Sequence, residues 1–290
     1  RNAVYSQEQS RFYEAQRQQH EINHEFLLSY SKKIDDISID VNAGSNLMYQ
    51  KYQRLDGVSV GGLVIPEYYN LNNSLSPAKA TNYTRKKAIN SVFGNVTLGY
   101  KNFAYIDATF RNDWSSALPD GNNSYFYPSV TGSFVFSELI ESNVISFGKF
   151  RAGWAQVGND TDPYRILDTY SYYTSFDGNH GYQLPLAKNN MDLKPEITTS
   201  FEVGLEMSFL TNRVGFDFTY YSSETKDQIL PLSLSGTTGY TSQIINAGLI
   251  SNKGVELGLR GTPVKTRDFE WNIFATASSN KNEVKKLLDG

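Results

Sequence analysis

A hydrophobic period of two residues runs through most of the chain and restricts its fold more than any other feature. The period is clearest at 199–209, where Phe201, Val203, Leu205, Met207 and Phe209 alternate with polar or small residues. Successive side chains of a β-strand point to opposite faces, so this pattern predicts strands with one apolar and one polar face. The same alternation recurs between about residue 24 and residue 280, at 37–43, 104–110, 214–220, 255–259 and 271–277. The sequence therefore predicts an all-β fold.

The connections between the predicted strands alternate between short and long. Short connections are expected at 33–36, 101–102, 141–144, 211–213 and 265–268, and long ones at 54–84, 118–123, 160–195 and 231–241. This asymmetry is typical of antiparallel transmembrane β-barrels, which have tight turns on the periplasmic side and long loops outside. The hairpins give about ten strands, each long enough to cross a bilayer. Alternation alone also leaves a soluble carbohydrate-binding β-sandwich open, although its strands are usually shorter.

The composition excludes several classes of protein. The chain has 27 Lys and Arg against 30 Asp and Glu, for a net charge of −3, whereas a nucleic-acid-binding domain is usually basic. It has no cysteine and three histidines, which argues against disulfides, thiolate chemistry and a metal centre. No apolar run is long enough for a transmembrane helix. We expect no catalytic residue, cofactor or metal.

Four stretches between residues 90 and 285 share a recognisable pattern of residues. They are Arg111-Asn112-Asp113-Trp114-Ser115 with Tyr125-Phe126-Tyr127-Pro128-Ser129, Phe150-Arg151-Ala152-Gly153-Trp154 to Asn159, Asp192-Leu193-Lys194-Pro195-Glu196 with Phe201-Glu202, and Asn246-Ala247-Gly248 to Lys253-Gly254. Each is weak alone, but their order together resembles the SusC/RagA family of TonB-linked outer-membrane transporters. The first 80 residues resemble this family only in general character and contain none of the four stretches.

The resemblance implies a barrel of 22 strands with an N-terminal plug, of which this chain holds about ten consecutive strands. It also implies energy from a TonB-ExbB-ExbD complex and a SusD-like surface lipoprotein as partner. Oligosaccharides or oligopeptides would be the cargo, and outer-membrane lipid would surround the barrel of a Gram-negative bacterium. Neither a signal peptide nor a plug is visible, so we interpret residues 1–290 as part of one barrel domain. Residues 1–21, rich in Gln and charges, are expected to be a polar segment that leads into the first strand.

Aromatic residues in the two longest connections are the candidate contacts for cargo or lipoprotein. Exposed rings can stack on sugars or hold peptide side chains, although they can equally pack the loop on itself. These candidates are Tyr68, Tyr69, Tyr170, Tyr172, Tyr173, Phe176 and Tyr182. A self-contained ten-stranded outer-membrane enzyme, such as a surface protease, is the rival hypothesis. Its acid-base pair would have to be His180 with Asp177.

Alternation also predicts which residues share a face of the sheet. A charge in the middle of the bilayer costs up to about 2 to 4 kcal/mol for Arg or Lys, so the charged face should line the lumen. We therefore expect Val203, Leu205, Met207, Phe216, Phe218, Leu257 and Leu259 to face lipid. Glu202, Glu206, Asp217, Glu256 and Arg260 should face the lumen.

Overall fold

The computed structural model describes residues 10–174 and 179–287. In chain order, its strands are β1 (Tyr13–Ile34), β2 (Ile37–Leu63), β3 (Ser74–Tyr100), β4 (Ala104–Ser115), β5 (Ser124–Phe134), β6 (Ile145–Asn159), β7 (Ser171–Thr174), β8 (His180–Gln183), β9 (Ala187–Lys188), β10 (Glu196–Phe209), β11 (Val214–Lys226), β12 (Ile229–Ser233), β13 (Ser242–Asn246), β14 (Leu249–Lys265) and β15 (Glu270–Lys286). Single 3₁₀ turns are present at Leu71–Asn73, Phe136–Leu139 and Gly236–Thr238.

The ten long strands form one antiparallel sheet in the order β1-β2-β3-β4-β5-β6-β10-β11-β14-β15. Each long strand therefore pairs with the next long strand in the chain, which confirms the predicted all-β fold and strand count. The remaining strands form two small sheets, β7-β8 and β12-β13-β9. β9 pairs with β13 in parallel, through Ala187 and Lys188, so these two short strands depart from the antiparallel arrangement that the sequence predicts.

Four of the five tight connections are turns at the predicted positions, but the one expected at 141–144 extends over 135–144 and includes the 3₁₀ turn Phe136–Leu139. Lys101 and Asn102 both have positive φ, 48° and 63°, as the two central residues of a type I′ hairpin turn require. The Lys101 ammonium lies 3.4 Å from the Asp36 carboxylate of the neighbouring turn. Its pKa is raised, because that carboxylate accepts a hydrogen bond from it and attracts its charge.

Two predicted boundaries were wrong. The connection expected at 54–84 is mostly strand: β2 continues to Leu63, β3 begins at Ser74, and only 64–73 lie between them. The residues that suggested a loop, Gly61, Gly62 and Pro66, lie at or near the true turn, where both glycines have positive φ. β1 begins at Tyr13, well inside the segment that was expected to be only a polar entry. Its many Gln and charged residues hide the two-residue period, but backbone pairing with β2 does not depend on side-chain polarity.

The register confirms the predicted grouping of side chains into two faces. Phe150, Leu205, Phe218 and Leu257 lie directly opposite one another in a row across β6, β10, β11 and β14. The neighbouring positions form polar rows, with Glu206 opposite both Lys149 and Asp217. Large hydrophobic side chains of the apolar face stay exposed, for example Phe150 at 46% and Leu259 at 49%.

Arginines on the polar face reach across a neighbouring strand to an acid two strands away. Arg151 of β6 donates from Nη1 and Nη2 to Asp217 of β11, at 2.8 and 3.0 Å, and from Nη2 to Thr219 Oγ1 at 2.6 Å. Gly204 of β10 lies between them, and a Cβ there would be 2.5 Å from Arg151 Nε. The glycine therefore provides the space in which the arginine crosses β10.

The same arrangement recurs one strand further along the sheet, over β10, β11 and β14. Arg260 of β14 crosses β11 at Gly215, where a Cβ would lie 2.7 Å from Arg260 Nε. It donates to Glu206 of β10 at 3.3 Å. We call these two arrangements the arginine bridges. They join β6 to β11 and β10 to β14 independently of the backbone ladder.

The described residues divide into two compact units. One comprises 10–24 and 48–88, which are segments of β1, β2 and β3 with the 64–73 connection, and the other comprises 25–47 and 89–287. No helix among the described residues is long and apolar enough to cross a membrane.

We predict that breaking one arginine bridge lowers the stability of the protein. Replacement Asp217→Asn removes the charge from a bidentate partner of Arg151 and should lower the free energy of unfolding by on the order of 1 kcal/mol. The measurement is thermal unfolding of the full-length protein in detergent. Glu256→Gln is the matched control, since Glu256 lies on the same face and the described part of the chain shows it in no ion pair. Equal effects of the two variants would contradict the bridge.

Candidate functional site in the long connections

The long connections of the larger unit are folded around a hydrophobic core of their own. Leu118, Tyr125, Leu193 and Ile244 are buried together there, with Leu193 completely inaccessible. Tyr127, Ile166 and Ile229 pack against them. In the described chain, the buried hydrophobic side chains all lie in this core or beside it. The four segments that carry the core are thus held in fixed positions above the end of the sheet.

Asn246 fastens two of these segments to each other. Its Oδ1 accepts a hydrogen bond from Lys194 N at 2.8 Å, and its Nδ2 donates to Lys194 O and Asp227 O at 2.8 and 2.9 Å. Glu196, at the start of β10, accepts from Ile229 N at 2.7 Å. The stretches 192–196 and 246–248, which stood out in the sequence, therefore meet in space and hold the loop core together.

Polar groups connect this core to β4 and β5. Asp113, which is only 6% exposed, accepts hydrogen bonds from Arg111 Nε at 2.8 Å and from Tyr127 Oη at 2.6 Å. Ser115 donates to Asp160, at the start of the connection after β6. Arg111 and Asp113 thus have a structural role, as an ion pair that fixes the end of β4.

An aromatic hairpin arm, β7 with β8, extends from the 160–195 connection. Tyr172 and Tyr182 lie directly opposite each other in this arm and each is 75% exposed. Tyr170 precedes β7 and is 69% exposed. Because directly opposite residues of a hairpin point to the same side, Tyr172 and Tyr182 offer neighbouring rings on one face of the arm.

Tyr240 supports the base of the arm, and the sequence analysis did not predict this role. Its hydroxyl donates to Asp168 Oδ2 at 3.3 Å, and Asp168 Oδ1 accepts from Asn189 N at 2.7 Å. Desolvation and the adjacent Asp168 carboxylate both raise the pKa of Tyr240. The sequence gives one local indication of this role, which is that Tyr240 follows Gly239, a turn glycine with a φ of 83°.

The other candidate residues have different positions. Tyr68 and Tyr69 are exposed in the 64–73 connection of the smaller unit, where Asn73 Nδ2 donates to Tyr68 O and to Ile65 O. The backbone of Tyr173 pairs with Gly181 in the arm. Phe176 and Asp177 lie outside the described residues, as do the side chains of Tyr173 and His180. Among the described residues, no cluster of His, Cys, Asp and Glu could hold a metal ion.

The antiparallel sheet has one exposed apolar face and one cross-linked polar face, and folded loops lie at one of its ends. These features are those of a segment of a transmembrane β-barrel wall. The family model described as TonB dependent receptor-like, beta-barrel, matches residues 2–286. The chain belongs to this family of TonB-dependent receptors, which confirms the resemblance seen in the sequence.

Similar proteins agree with this assignment. TonB-dependent receptor P3 of Formosa agariphila is 30% identical over 274 residues, which are 91% of this chain and 27% of that protein. TonB-dependent receptor SusC of Bacteroides thetaiotaomicron is 28% identical over 222 residues, 72% of this chain and 22% of its own. A solved structure of the RagAB peptide transporter has the same fold, with a TM-score of 0.82 and 24% identity over 95% of this chain and 31% of that one. The chain thus spans about a quarter of the length of these curated relatives.

We predict that Asn246→Ala loosens the loop core without unfolding the sheet. Three hydrogen bonds of about 1 kcal/mol each are lost, so local opening of 160–195 should become roughly 150-fold more frequent. Limited trypsin digestion, which can cut after Arg165 and Lys188, measures this opening. Asn122→Ala is the matched control, because Asn122 makes one longer hydrogen bond, 3.3 Å, to Asp192 O. Equal digestion of both variants would contradict the role of Asn246.

Proposed function

We propose that the chain forms part of the wall of an outer-membrane transporter that imports oligosaccharides or oligopeptides with energy from the TonB complex. The observation that carries this proposal is the division of the sheet into an exposed apolar face and a polar face with arginine bridges, in a chain of the TonB-dependent receptor family. An apolar face of this kind suits lipid, and the polar face suits a water-filled or plugged lumen. We include a SusD-like surface lipoprotein as the partner that closes over the long connections.

The aromatic arm is the proposed contact for cargo or lipoprotein. Tyrosine offers a large amphipathic surface at low entropic cost, and Tyr170, Tyr172 and Tyr182 are raised on a hairpin rather than buried in the loop core. Tyr173 and Phe176 remain candidates from the sequence, as do Tyr68 and Tyr69 in the other connection. The matching family is one of receptors of the TonB-dependent kind, which favours transport over the rival enzyme hypothesis. The rival pair of His180 and Asp177 lies outside the side chains that the structure describes.

The proposed topology predicts which positions can be labelled from outside the cell. Single cysteines at Tyr69 and Tyr182 should react with a membrane-impermeant maleimide on intact cells, since both are placed in the outer connections. Cysteines at Lys101 and Asn212, in the tight turns, should react only after the outer membrane is permeabilised. These 290 residues contain no cysteine, and cells that carry the protein without an added cysteine give the background labelling. The reverse labelling pattern would refute the topology.

Removing the rings of the arm should impair uptake without destabilising the barrel. In the triple variant Tyr170→Ala, Tyr172→Ala and Tyr182→Ala, we expect the half-saturating cargo concentration to rise on the order of 100-fold, because stacking by each of the three rings contributes about 1 kcal/mol. Cargo is first identified by comparing uptake of glycan and peptide mixtures by wild-type and deletion strains. Tyr100→Ala, an exposed aromatic beside a tight turn, is the control. A protonophore should abolish uptake, and uptake that survives it would exclude TonB-driven transport.

A further inference from the structure

A furrow runs along β5 and β6 on the polar face of the sheet. Larger residues border it on the flanking strands, with Asp107 of β4 opposite Thr131 and Glu202 of β10 opposite Gly153. We call this depression of about 440 Å³ the wall furrow. Its floor consists of small residues of the two strands, which are Ser129, Thr131, Ser133, Gly153 and Ala155.

The dimensions of the wall furrow suit a linear molecule that lies along the strands. Its borders on β4 and β10 are three strand spacings apart, which is about 14 Å. The floor from Ser129 to Ser133 covers four residue steps, which is about 13 Å along the strand. Its volume is also in the range of ligand sites in proteins, about 300 to 1,000 Å³. A short stretch of an extended polymer therefore fits the furrow.

The charges around the wall furrow are balanced. Its lining includes two acids, Asp107 and Glu202, and two bases, Lys149 and Arg151. Arg151 is also engaged, because it donates to Asp217 and its Nε lies 3.6 Å from Glu202 Oε1. The lining thus has no excess charge that would attract an anion or a cation, and it favours an uncharged ligand.

Hydroxyl groups provide the hydrogen-bonding capacity of the wall furrow. In the described ranges, the hydroxyls of Thr131, Ser133 and Ser200 are shown in no hydrogen bond, although all three residues line the furrow. The Ser129 hydroxyl is paired with Thr109 Oγ1 at 2.6 Å. A hydroxyl can both donate and accept, so three such groups can bind a ligand that is itself rich in hydroxyls.

The backbone around the wall furrow offers little to a peptide. β5 and β6 are interior strands, and each pairs with a neighbour on both sides along the furrow. Extended peptides commonly bind by adding a strand to an exposed sheet edge, with pockets for alternate side chains. Neither an edge nor a set of pockets is present on this floor of small residues. Recognition here therefore depends on side-chain hydroxyls and carboxylates, which suits a sugar better than a peptide.

We propose that the wall furrow is a binding site for a neutral oligosaccharide segment inside the barrel. Sugar hydroxyls would exchange hydrogen bonds with Thr131, Ser133 and Ser200, and the Asp107 and Glu202 carboxylates would accept others.

Tyr105, which also lines the furrow, provides an aromatic border. A Cβ at Gly99 would lie 3.0 Å from two of its ring carbons, so the ring lies along the wall. It thus offers a flat surface to the C–H face of a sugar. This inference rests on the proposed function and specifies its cargo class.

The test is protection of a cysteine in the furrow of the full-length transporter in detergent. Ser133→Cys is labelled with a water-soluble maleimide, and Ser278→Cys is the matched control, because Ser278 lies on the same face opposite Glu256 of β14, outside the furrow. The uncharged probes are maltohexaose, xylohexaose, mannohexaose and an acetylated, amidated hexaserine peptide, and hexagalacturonate is the charged one. We expect at least one neutral hexasaccharide to slow labelling at Ser133→Cys at least threefold and to leave Ser278→Cys unchanged.

Four outcomes of the labelling overturn the inference. They are protection by no neutral sugar, equal protection at both positions, equal protection by hexagalacturonate, and stronger protection by the peptide, which would assign the furrow to peptides. A cysteine at position 133 that does not react even without sugar also overturns it, because another part of the protein then covers the furrow.

Variants of Thr131 test the furrow itself, with the sugar concentration that halves labelling at Ser133→Cys as the readout. Thr131→Trp fills the furrow and should raise this concentration at least tenfold, whereas Ser278→Trp, the same ring outside the furrow, should change it less than twofold. Thr131→Val removes one hydroxyl at nearly constant volume and should raise it roughly two- to tenfold. Equal effects of the two tryptophans overturn the site. Unchanged heat-induced mobility shifts on gels show that each variant is folded.

The failure of this inference can be distinguished from failure of the proposed function. Cells that import a glycan or a peptide through the transporter, while no neutral sugar protects the furrow, disprove the furrow's role and leave transport intact. A deletion strain with unchanged uptake of every glycan and peptide tested disproves the transport proposal itself.

Discussion

A strand that lies in lipid has to satisfy every backbone hydrogen bond within the sheet and present an apolar face to the bilayer. This constraint explains why large hydrophobic side chains are exposed on the sheet, whereas a water-soluble protein would bury them. Phe150, Leu205, Phe218 and Leu257 form an exposed row, although hydrophobic side chains of this size are usually buried. The buried hydrophobic residues of the described chain lie in the connections, as Leu193 and Ile244 do, or beside them at the start of β5, as Tyr125 does. Water surrounds the protein there, and a core is needed. The sheet thus has its apolar side chains on the outside, toward lipid, and the connections have theirs inside, away from water.

The polar face follows from the same constraint, because alternation leaves a charged or polar residue at every second position. Arg151 and Arg260 could not lie flat across a strand that carried a side chain at the crossing point, and Gly204 and Gly215 remove that obstacle. The glycines weaken local strand propensity, a cost of roughly 0.5 to 1 kcal/mol each, and the bridges compensate by joining strands that are not neighbours. Their hydrogen bonds also keep the charges of Glu206 and Asp217 satisfied on that face.

Features that depend on local sequence were predictable, and those that depend on distant contacts were not. Alternation at 199–209 and the turn at Lys101 and Asn102 involve neighbours in sequence, so strand type, face and turn position could be inferred. The true extent of β2 and β3 could not, because glycines and prolines between 57 and 77 suggest a loop, while pairing of two 27-residue strands decides the outcome. The contact of Asn246 with Lys194 joins residues 52 positions apart, and the parallel pair of β9 with β13 is equally remote. The candidate tyrosines could be chosen by composition, but their presentation on an arm braced by Tyr240 required the structure.

The loop assembly separates residues that maintain its shape from residues that are exposed to other molecules. Leu193, Asn246 and Asp113 are buried or multiply hydrogen-bonded, so a change at any of them disturbs several loop segments together. Tyr172 and Tyr182 project from a two-stranded arm and are mostly exposed, so their replacement removes little buried area and has a small effect on stability. Selectivity for cargo can therefore change at the arm while the loop core stays intact. A hairpin of four residues per strand is itself only marginally stable, which makes its attachment through Asp168, Asn189 and Tyr240 the step that turns exposed rings into an oriented surface.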